Sequence, residues 1–357
     1  QQIPFQYSLH IDHGNNMEPI HKEFLADEKN GDPRKELVKQ LVEDIPQNVT
    51  VMAYHTDFEK GRLEELAGLF PEYSEHLLNV ADNLVVGKKE EQKMNDTKNK
   101  IKDYWNERSS TFDFSPGHVI GSREEKEVWK SLFQDKFDEG IRKILDVGAG
   151  TGFLSLILAE MGYDVVGVDL SEAMIRKAKE KAADRGVELK IKFKVGDAEA
   201  LPFERGVFDA IVNRAVLWTL PEPKKALEEW KRVLKPGGKL CFFLHEPHHD
   251  GLTQRLRRQL GNVLILFMER RNPWYSLYHR KLGVELPFRG GVKPTIITNL
   301  LEESGFEQVF AEPMHEISRL KTENMPLRYR IGHNHNHIQY CYTAVKPELE
   351  GGGEQEN

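Results

Sequence analysis

The sequence predicts an α/β protein with a doubly wound, mostly parallel sheet and a small α/β fragment ahead of it. Apolar strand-like runs alternate with amphipathic helical patterns along the 357 residues, and a glycine-rich turn joins one such strand to a helix. This alternation places parallel strands in one sheet with helices on both faces. Apolar residues make up 39% of the chain and charged residues 30%, so a sizeable core can form. At about 150 residues per domain, the length favours two domains, with one large domain as the alternative.

Residues 1–86 are predicted to form the small N-terminal α/β fragment. The polar stretch GKKEEQKMNDTKNK at 87–100 offers almost nothing to bury, and we expect it to be a linker. The elements expected before it, from apolar periodicity, are strands at 4–11 and 49–54 and helices at 33–43 and 58–69.

Residues 101–347 form the larger predicted domain. The tail at 348–357, which ends in GGGEQEN, is expected to be disordered. Strand-like runs and helical patterns alternate between these limits. The expected strands are 143–147, 164–169, 189–195, 208–213 and 239–245, and the expected helices are 153–161, 171–185 and 223–234.

The stretch ILDVGAGTGF contains the most informative turn in the chain. Gly148, Gly150 and Gly152 let the backbone turn sharply and let a ligand approach without a Cβ in the way. The helix that follows presents unpaired N–H groups to that ligand. Asp169 ends the next strand 21 residues after Gly148, close to the spacing at which an acidic residue meets ribose hydroxyls. Asp146, directly before the turn, would repel a pyrophosphate but suits a ligand with an ammonium group.

The G-x-G-x-G turn, together with VDLS, GDAEALPF and RVLKPGGKL in this order, resembles the class I S-adenosylmethionine-dependent methyltransferases from about residue 101 to residue 346. The resemblance implies a seven-stranded Rossmann-like methyltransferase sheet and S-adenosylmethionine as cofactor. It also implies a role for each matching position. Asp146, Gly148, Ala149, Gly150 and Gly152 would surround the methionine part, Asp169 the ribose, Leu170, Asp197 and Ala198 the adenine, and Asn213 would lie beneath the reactive centre.

Other interpretations of the same residues stay open. Asp146 or Asp197, taken alone, could cap a turn. An NAD-dependent enzyme is the nearest competitor for the glycine turn, although the turn lacks the G-x-G-x-x-G spacing of dinucleotide sites.

The predicted reaction is an in-line displacement at the sulfonium methyl, which needs alignment and exclusion of water. The segment NRAVLWTLPEP lacks the Asn/Asp-Pro-Pro-aromatic pattern of nucleobase amino-methylases. We therefore expect a small-molecule acceptor, with an RNA methyltransferase as an alternative. The candidates for contacting the reacting atoms are Asn213, His245 and Tyr104.

Two segments are predicted to cover the site. The stretch IKDYWNERSSTFDFSPGHVI resembles a segment that folds over the cofactor in related enzymes, which makes Tyr104, Trp105, Arg108 and His118 lid candidates. An insertion rich in arginine and aromatic residues, 246–295, follows the fifth strand and would cover the carboxyl edge as an acceptor lid. Its apolar helix could touch a membrane surface, but an ordinary core-facing helix is the more common arrangement.

The net charge, the apolar runs and the number of cysteines argue against several other classes of protein. A net charge of −7 disfavours binding to nucleic acid. The longest apolar run, Val263–Met268, cannot span a bilayer, and the two cysteines, Cys241 and Cys341, do not make a disulfide framework. We expect a cytoplasmic protein without a metal site, although His333, His335 and His337 alternate along one segment. The oligomeric state is left open.

The N-terminal fragment resembles an uncharacterised domain of the DEDD exonuclease superfamily, whose members hold two metal ions on four carboxylates. Glu59 matches the second motif and Asp82 the third, but the first and last motifs are missing. We therefore expect no metal-dependent exonuclease activity. Such an activity is the alternative to the predicted methyl transfer. Glu59 is then a solvated acid that favours a helix dipole, and Met94 resembles a natural start, so we expect a truncated fragment fused to a complete enzyme.

Overall fold

The computed structural model describes two compact units, residues 1–96 and 97–357. The described residues are 6–11, 20–25, 33–47, 51–53, 56–86, 88–246, 251–270, 286–288, 292–332 and 338–348. The boundary between the units falls inside helix α4 (Lys88–Arg108). The segment predicted as a linker is therefore helical from residue 88 onward, because its Lys, Glu, Gln and Met residues are good helix formers.

The first unit packs three helices around a core of its own. Leu37 and Val38 of α1, Leu66 of α2, and Leu77 and Val80 of α3 are buried together. Strands β1 and β2 pair antiparallel, and β3 and β4 pair parallel. The element bounds are β1 Gln6–Ile11, β2 Ile20–Leu25, α1 Pro33–Asp44, β3 Val51–Ala53, α2 Thr56–Leu69, α3 Ser74–Asp82 and β4 Leu84–Val86.

The second unit contains a seven-stranded sheet in the order β10-β11-β9-β8-β5-β6-β7. Strand β11 runs antiparallel to both of its neighbours, and the other pairs are parallel. The strand bounds are β5 Lys143–Val147, β6 Asp164–Asp169, β7 Ile191–Val195, β8 Phe208–Arg214, β9 Leu234–His245, β10 Glu307–Pro313 and β11 Gln339–Val345. The predicted Rossmann-like, mostly parallel sheet is confirmed.

Helices cover both faces of this sheet. On one face α5 and α6 pack with Trp129, Phe133 and Ile157, and on the other face α8 packs with Leu227 and Trp230. The bounds of the helices after α4 are α5 Arg123–Lys136, α6 Phe153–Glu160, α7 Glu172–Asp184, α8 Pro223–Val233, α9 Leu252–Glu269, α10 Pro294–Glu303, α11 His315–Glu323 and α12 Leu327–Gly332.

The chain reverses its direction of winding between the adjacent strands β5 and β8. Helix α6, which follows β5, contributes to one core, whereas α8, which follows β8, contributes to the other. Val147 and Asn213 pair at the carboxyl ends of these strands. Open α/β sheets bind ligands in the crevice at such a switch point, so the topology alone locates the site.

The sequence KPGG at residues 235–238 lies within β9 and interrupts the pairing of β9 with β8. Phe208 pairs with Leu234 and Ala210 pairs with Lys239, so residues 235–238 lie between two paired positions. Gly237 has a φ of 68°, a conformation that favours glycine.

Helix α9 departs from the expectation of a core-facing helix. Gly261 and Ile265 are its buried residues, and Gly261 lies against the backbone of α12. Its apolar stripe, formed by Leu252, Leu256, Leu260, Val263, Leu266 and Phe267, is exposed. The remaining acceptor-lid residues 247–250, 271–285 and 289–291 lie outside the described residues.

Cys241 and Cys341 are buried free thiols on β9 and β11, with their sulfur atoms 3.7 Å apart. None of the helices in the described part of the chain has the length and apolar character needed to cross a bilayer.

Candidate active site

A cavity of about 350 Å³ opens at the carboxyl ends of β5, β6 and β8. This volume suits a small organic ligand. Six of the residues expected to hold a cofactor line the cavity: Gly148, Gly150, Asp169, Leu170, Asp197 and Ala198. All four lid candidates line it as well: Tyr104, Trp105, Arg108 and His118.

The glycine turn forms the floor of this cavity. Gly148, Gly150 and Gly152 have φ values of 65°, 55° and 88°, which residues other than glycine rarely adopt. A Cβ on Gly148 would lie 2.0 Å from Cγ2 of Val216, whereas a Cβ on Gly150 would meet only Cε1 of Phe112 at 3.8 Å. The turn is therefore closed on the side of β8 and open at Gly150. Ala149 donates its N–H to the carbonyl of residue 168 at 2.9 Å and fixes the turn on β6.

Asp169 closes one side of the turn from the end of β6. Its Oδ2 accepts the N–H of Gly150 at 2.9 Å, and its Oδ1 accepts the N–H of Ser171 at 2.8 Å. Burial raises the pKa of Asp169 to about 6. Because each carboxylate oxygen has a second acceptor direction, Asp169 can accept two more hydrogen bonds from a ligand in the cavity.

Asp146 does not line the cavity. Its carboxylate is buried beneath the turn, where Oδ2 accepts the N–H of Ser155 at 3.0 Å and the Ser155 hydroxyl at 2.6 Å. Burial raises the pKa of Asp146 to about 7. Through Ser155 this carboxylate anchors the first turn of α6, and its contact with an ammonium group stays a prediction.

Asp197 is held by Lys98, a residue that sequence reasoning missed. Oδ2 of Asp197 lies 2.6 Å from Nζ of Lys98, which also lies 2.6 Å from a carboxylate oxygen of Glu199. Burial opposes the charge on Lys98, but hydrogen bonds to the two carboxylates raise its pKa overall. Because Lys98 lies in the segment interpreted as a linker, no local signal marked it as part of the site.

Asn213 lies behind the cavity lining. Its side-chain amide donates to the carbonyl of Val147 at 2.6 Å and accepts the N–H of Val216 at 3.3 Å. It therefore joins the end of β5 to the loop after β8. His245 ends β9 and is not among the lining residues, nor are Ala149 and Gly152.

The lid consists of the last turns of α4 and the loop that follows. Tyr104 packs edge-on against Trp105 at 5.0 Å between ring centroids, and Phe112 stacks on His118 at 4.0 Å. Nδ1 of His118 bonds to the carbonyl of Phe112 at 2.9 Å. Burial lowers the pKa of His118 to about 3, with a further contribution from the charge of Arg214. His118 is therefore neutral near pH 7.

Polar contacts through Lys181 join the lid loop to the glycine turn. Lys181 of α7 bonds to Asp113 at 3.1 Å and to the Thr151 hydroxyl at 3.0 Å. Thr151 in turn donates to Asp113 at 2.6 Å. The lid loop, the turn and α7 are thus connected around the cavity.

Arg214 is a lining residue that the sequence analysis did not select. Its guanidinium lies over the ring of Phe153, 3.8 Å from the ring centroid. It follows Asn213 at the end of β8, and side chains alternate in direction along a strand. That alternation is the signal that could have identified it.

The N-terminal carboxylates do not form a metal site in the described part of the chain. Glu59 is exposed, and Asp82 is paired with Lys60 at 3.1 Å. No group of three His, Cys, Asp or Glu residues with metal-binding geometry occurs among the described residues. His333, His335 and His337 lie outside them.

Two family models match the chain. A family described as a methyltransferase domain matches residues 145–242, which include the glycine turn, Asp169 and Asp197. A family described as a domain of unknown function (DUF2779) matches residues 1–106.

Curated relatives match about a third of the chain. Demethylmenaquinone methyltransferase of Renibacterium salmoninarum is 46% identical over 127 residues, which are 34% of this chain and 51% of the relative. The ubiquinone/menaquinone biosynthesis C-methyltransferase UbiE of Yersinia enterocolitica is 38% identical over 123 residues, covering 32% and 48% of the two chains. The chain thus spans about half the length of the curated relatives it matches.

Among solved structures, phosphoethanolamine N-methyltransferase 2 of Haemonchus contortus, crystallised with S-adenosylhomocysteine, superimposes with a TM-score of 0.50. The match covers 69% of this chain and 60% of that one at 20% identity. This similarity shows the fold.

Proposed function

Through residues 145–242 the chain belongs to the class I S-adenosylmethionine-dependent methyltransferases, and on that premise we propose that it transfers a methyl group from S-adenosylmethionine to a small-molecule acceptor. The observation that carries the proposal is the position of Asp169 beside the open glycine turn in the cavity.

The residues present fit this cofactor. The unused acceptor directions of Asp169 match the two hydroxyls of a ribose. We assign Leu170 and Ala198 to the faces and edge of the adenine and Asp197 to its exocyclic amine. The open approach at Gly150 leaves room for the sulfur-bearing substituent of the ribose. When bound, the cofactor supplies a methyl group on a positively charged sulfur, which a nucleophile can displace in line.

The lid aromatic residues exclude water from this reaction. Trp105 and Phe112 meet edge-on at 5.9 Å over the cavity, and Tyr104 lies beside them. Of the three candidates for contacting the reacting atoms, we retain Tyr104 for direct contact with the acceptor. Asn213 is a positioning residue, because it fixes the ends of β5 and β8. His245 lies outside the lining and stays a prediction.

The electrostatics of the lid restrict the acceptor. With its pKa near 3, His118 is a weak base at neutral pH. Among the lid residues, His118 is therefore poorly suited to take a proton from the acceptor. The names of the relatives, which are methyltransferases of quinone biosynthesis, and the net charge of −7 support a small organic acceptor over a nucleic acid.

We also place the protein in the cytoplasm. The support is that Cys241 and Cys341 are free thiols only 3.7 Å apart, a state that a reducing compartment maintains.

Calorimetry with S-adenosylhomocysteine and with NAD tests the cofactor assignment. We expect saturable binding of the first at one site per chain and no binding of the second. Incubation with methyl-labelled cofactor and a metabolite extract, followed by identification of the labelled product, then tests the acceptor class. Binding of NAD in place of S-adenosylhomocysteine, or label recovered only in RNA, would contradict the proposal.

A further inference from the structure

Two arginines line the cavity, and they differ in their partners. Arg108 donates to the hydroxyls of Thr111 and Ser115. Arg214 contacts the ring of Phe153, but the structure gives its guanidinium no hydrogen bond and no ion pair with any described residue. A guanidinium carries five N–H donors, so a group that enters the cavity can take them without breaking an existing contact.

Arg214 shares its buried surroundings with a second cation, Lys321, and with two acids, Glu125 and Asp146. Burial lowers the pKa of Arg214 to about 10, and the acids Glu125 and Asp146 oppose this change. Lys321, which packs against Gly117 of the lid loop, has a pKa lowered to about 8 by burial and by Arg214. Both cations remain charged near pH 7. An anion in the cavity would be attracted to both.

The position of Arg214 relative to the glycine turn identifies the kind of anion. Phe153, on which the guanidinium lies, is the first residue of α6 and follows Gly152 directly. Asp169 is bonded to Gly150 within the same turn. A nucleoside whose ribose is held by Asp169 therefore extends its substituent along the turn toward Arg214.

We propose that Arg214 binds the carboxylate at the amino-acid end of the cofactor, with Lys321 adding positive potential behind it. The assignment rests on the proposed function. A guanidinium matches a carboxylate with two parallel hydrogen bonds, and Phe153 fixes the guanidinium before the ligand arrives. An acceptor with a carboxylate is the other possible source of the anion, and the experiment separates the two.

The test compares S-adenosylhomocysteine with 5′-methylthioadenosine, which lacks the amino-acid part. In Arg214→Met, which keeps an apolar side chain over Phe153, we expect affinity for S-adenosylhomocysteine to fall about tenfold or more. Affinity for 5′-methylthioadenosine should stay within about twofold. Arg214→Lys, which keeps the charge but not the paired donors, should lie between. The control Arg185→Met, at an exposed residue directly after α7, should change neither affinity.

Equal losses for the two nucleosides would overturn the assignment, because the arginine would then act only through the fold. Unchanged affinity for both, together with loss of methyl transfer, would overturn it in favour of an acceptor carboxylate. If the wild-type protein binds neither nucleoside, the proposed function itself fails, and that result is separate from any effect of the variant.

A second, independent observation is the exposed stripe of α9, formed by Leu252, Leu256, Leu260, Val263, Leu266 and Phe267. At 100° per residue these side chains share one face of the helix, opposite the face on which Gly261 and Ile265 are buried. Leu252 and Phe267 are 75% and 76% exposed.

Basic residues flank this stripe, although the whole chain is acidic. Arg255 and Arg257 are exposed within α9, and the acid of the helix, Glu269, is already paired with Arg328 at 2.6 Å. An apolar face bordered by arginines is typical of helices that lie in the surface of an anionic bilayer. We infer that α9 binds such a membrane surface through the stripe.

Co-sedimentation of the full chain with vesicles tests this. We expect binding to phosphatidylglycerol-containing vesicles, weaker binding to phosphatidylcholine alone, and loss of binding in Leu256→Glu/Phe267→Glu. The control Leu189→Glu replaces a leucine that is 94% exposed outside the stripe and should bind as wild type does. Absence of vesicle binding would overturn the inference. A dimer in ultracentrifugation that the double variant dissociates would also overturn it, because another copy of the chain would then cover the stripe.

Discussion

The two ends of the cavity differ in how their charges are satisfied before any ligand binds. At the acidic end, Asp169 accepts two backbone N–H groups and Asp197 is paired with Lys98. At the cationic end, Arg214 has only the ring of Phe153 as a partner among the described residues. The acidic end is therefore preorganised by the fold, whereas the cationic end keeps guanidinium donors that a ligand can use. Substitutions at the two ends should accordingly change different properties of the protein.

The largest effect is expected at the acidic end. In Asp169→Ala the acceptor for the ribose hydroxyls is lost together with the group that fixes the N–H of Gly150, so affinity for S-adenosylhomocysteine should fall more than tenfold. Calorimetry measures this directly. Asp164→Ala removes a carboxylate at the opposite end of the same strand, where it pairs with Lys190, and should leave the affinity unchanged. Equal affinity of Asp169→Ala and wild type for S-adenosylhomocysteine would show that the ribose does not bind at this end of the cavity.

Replacing Gly148 or Gly150 of the turn between the two ends by alanine should have unequal effects on stability and cofactor binding. Gly148→Ala places a Cβ 2.0 Å from Val216 in a backbone conformation with φ of 65°, so we expect a lower melting temperature and loss of cofactor binding. In Gly150→Ala the new Cβ lies 3.8 Å from Phe112. The free energy of unfolding should therefore fall by about 1–2 kcal/mol, mainly because of the left-handed backbone conformation. Thermal denaturation and calorimetry of the two variants measure which substitution is more damaging. A Gly148→Ala variant more stable than Gly150→Ala would contradict the prediction.

The acidic end was largely predictable from the sequence because its signals are local. The strand, the glycine turn and Asp169 lie within one β-α-β stretch, and the expected strands and helices of that stretch are present. Local periodicity and turn residues determine such elements. The sequence therefore located the part of the site that a single stretch of chain builds.

The rest of the site depends on contacts between distant segments. Lys98 lies 99 residues from its partner Asp197, and nothing near Lys98 in the sequence indicates that pairing. Asp146 was expected to face the ligand, but the direction of its side chain follows from the position of Ser155 on α6. The alternation along β8 indicates that Arg214 points away from Asn213, but its place in the lining depends on where β8 lies in the sheet. Tertiary placement decides these roles.

The smallest effect is expected from Asp146, the acid beneath the turn, and it concerns stability. Its pKa in the folded chain is about 7, above the ordinary value for an aspartate, so the folded state holds the proton more tightly than the unfolded state. The contribution of Asp146 to the free energy of unfolding therefore falls as the pH rises from about 4 to about 7. In Asp146→Asn the amide oxygen can still accept both hydrogen bonds from Ser155, without a buried charge.

We therefore expect Asp146→Asn to melt a few degrees above wild type at pH 8 and at nearly the same temperature at pH 5. Thermal denaturation of both proteins across this range measures the difference. Ser155→Ala serves as the comparison, since it removes one hydrogen bond from the carboxylate and should lower stability most at pH 8. If Asp146→Asn were less stable than wild type at pH 8, the charge of Asp146 would be needed to balance Arg214, and the two ends of the cavity would be coupled through the turn.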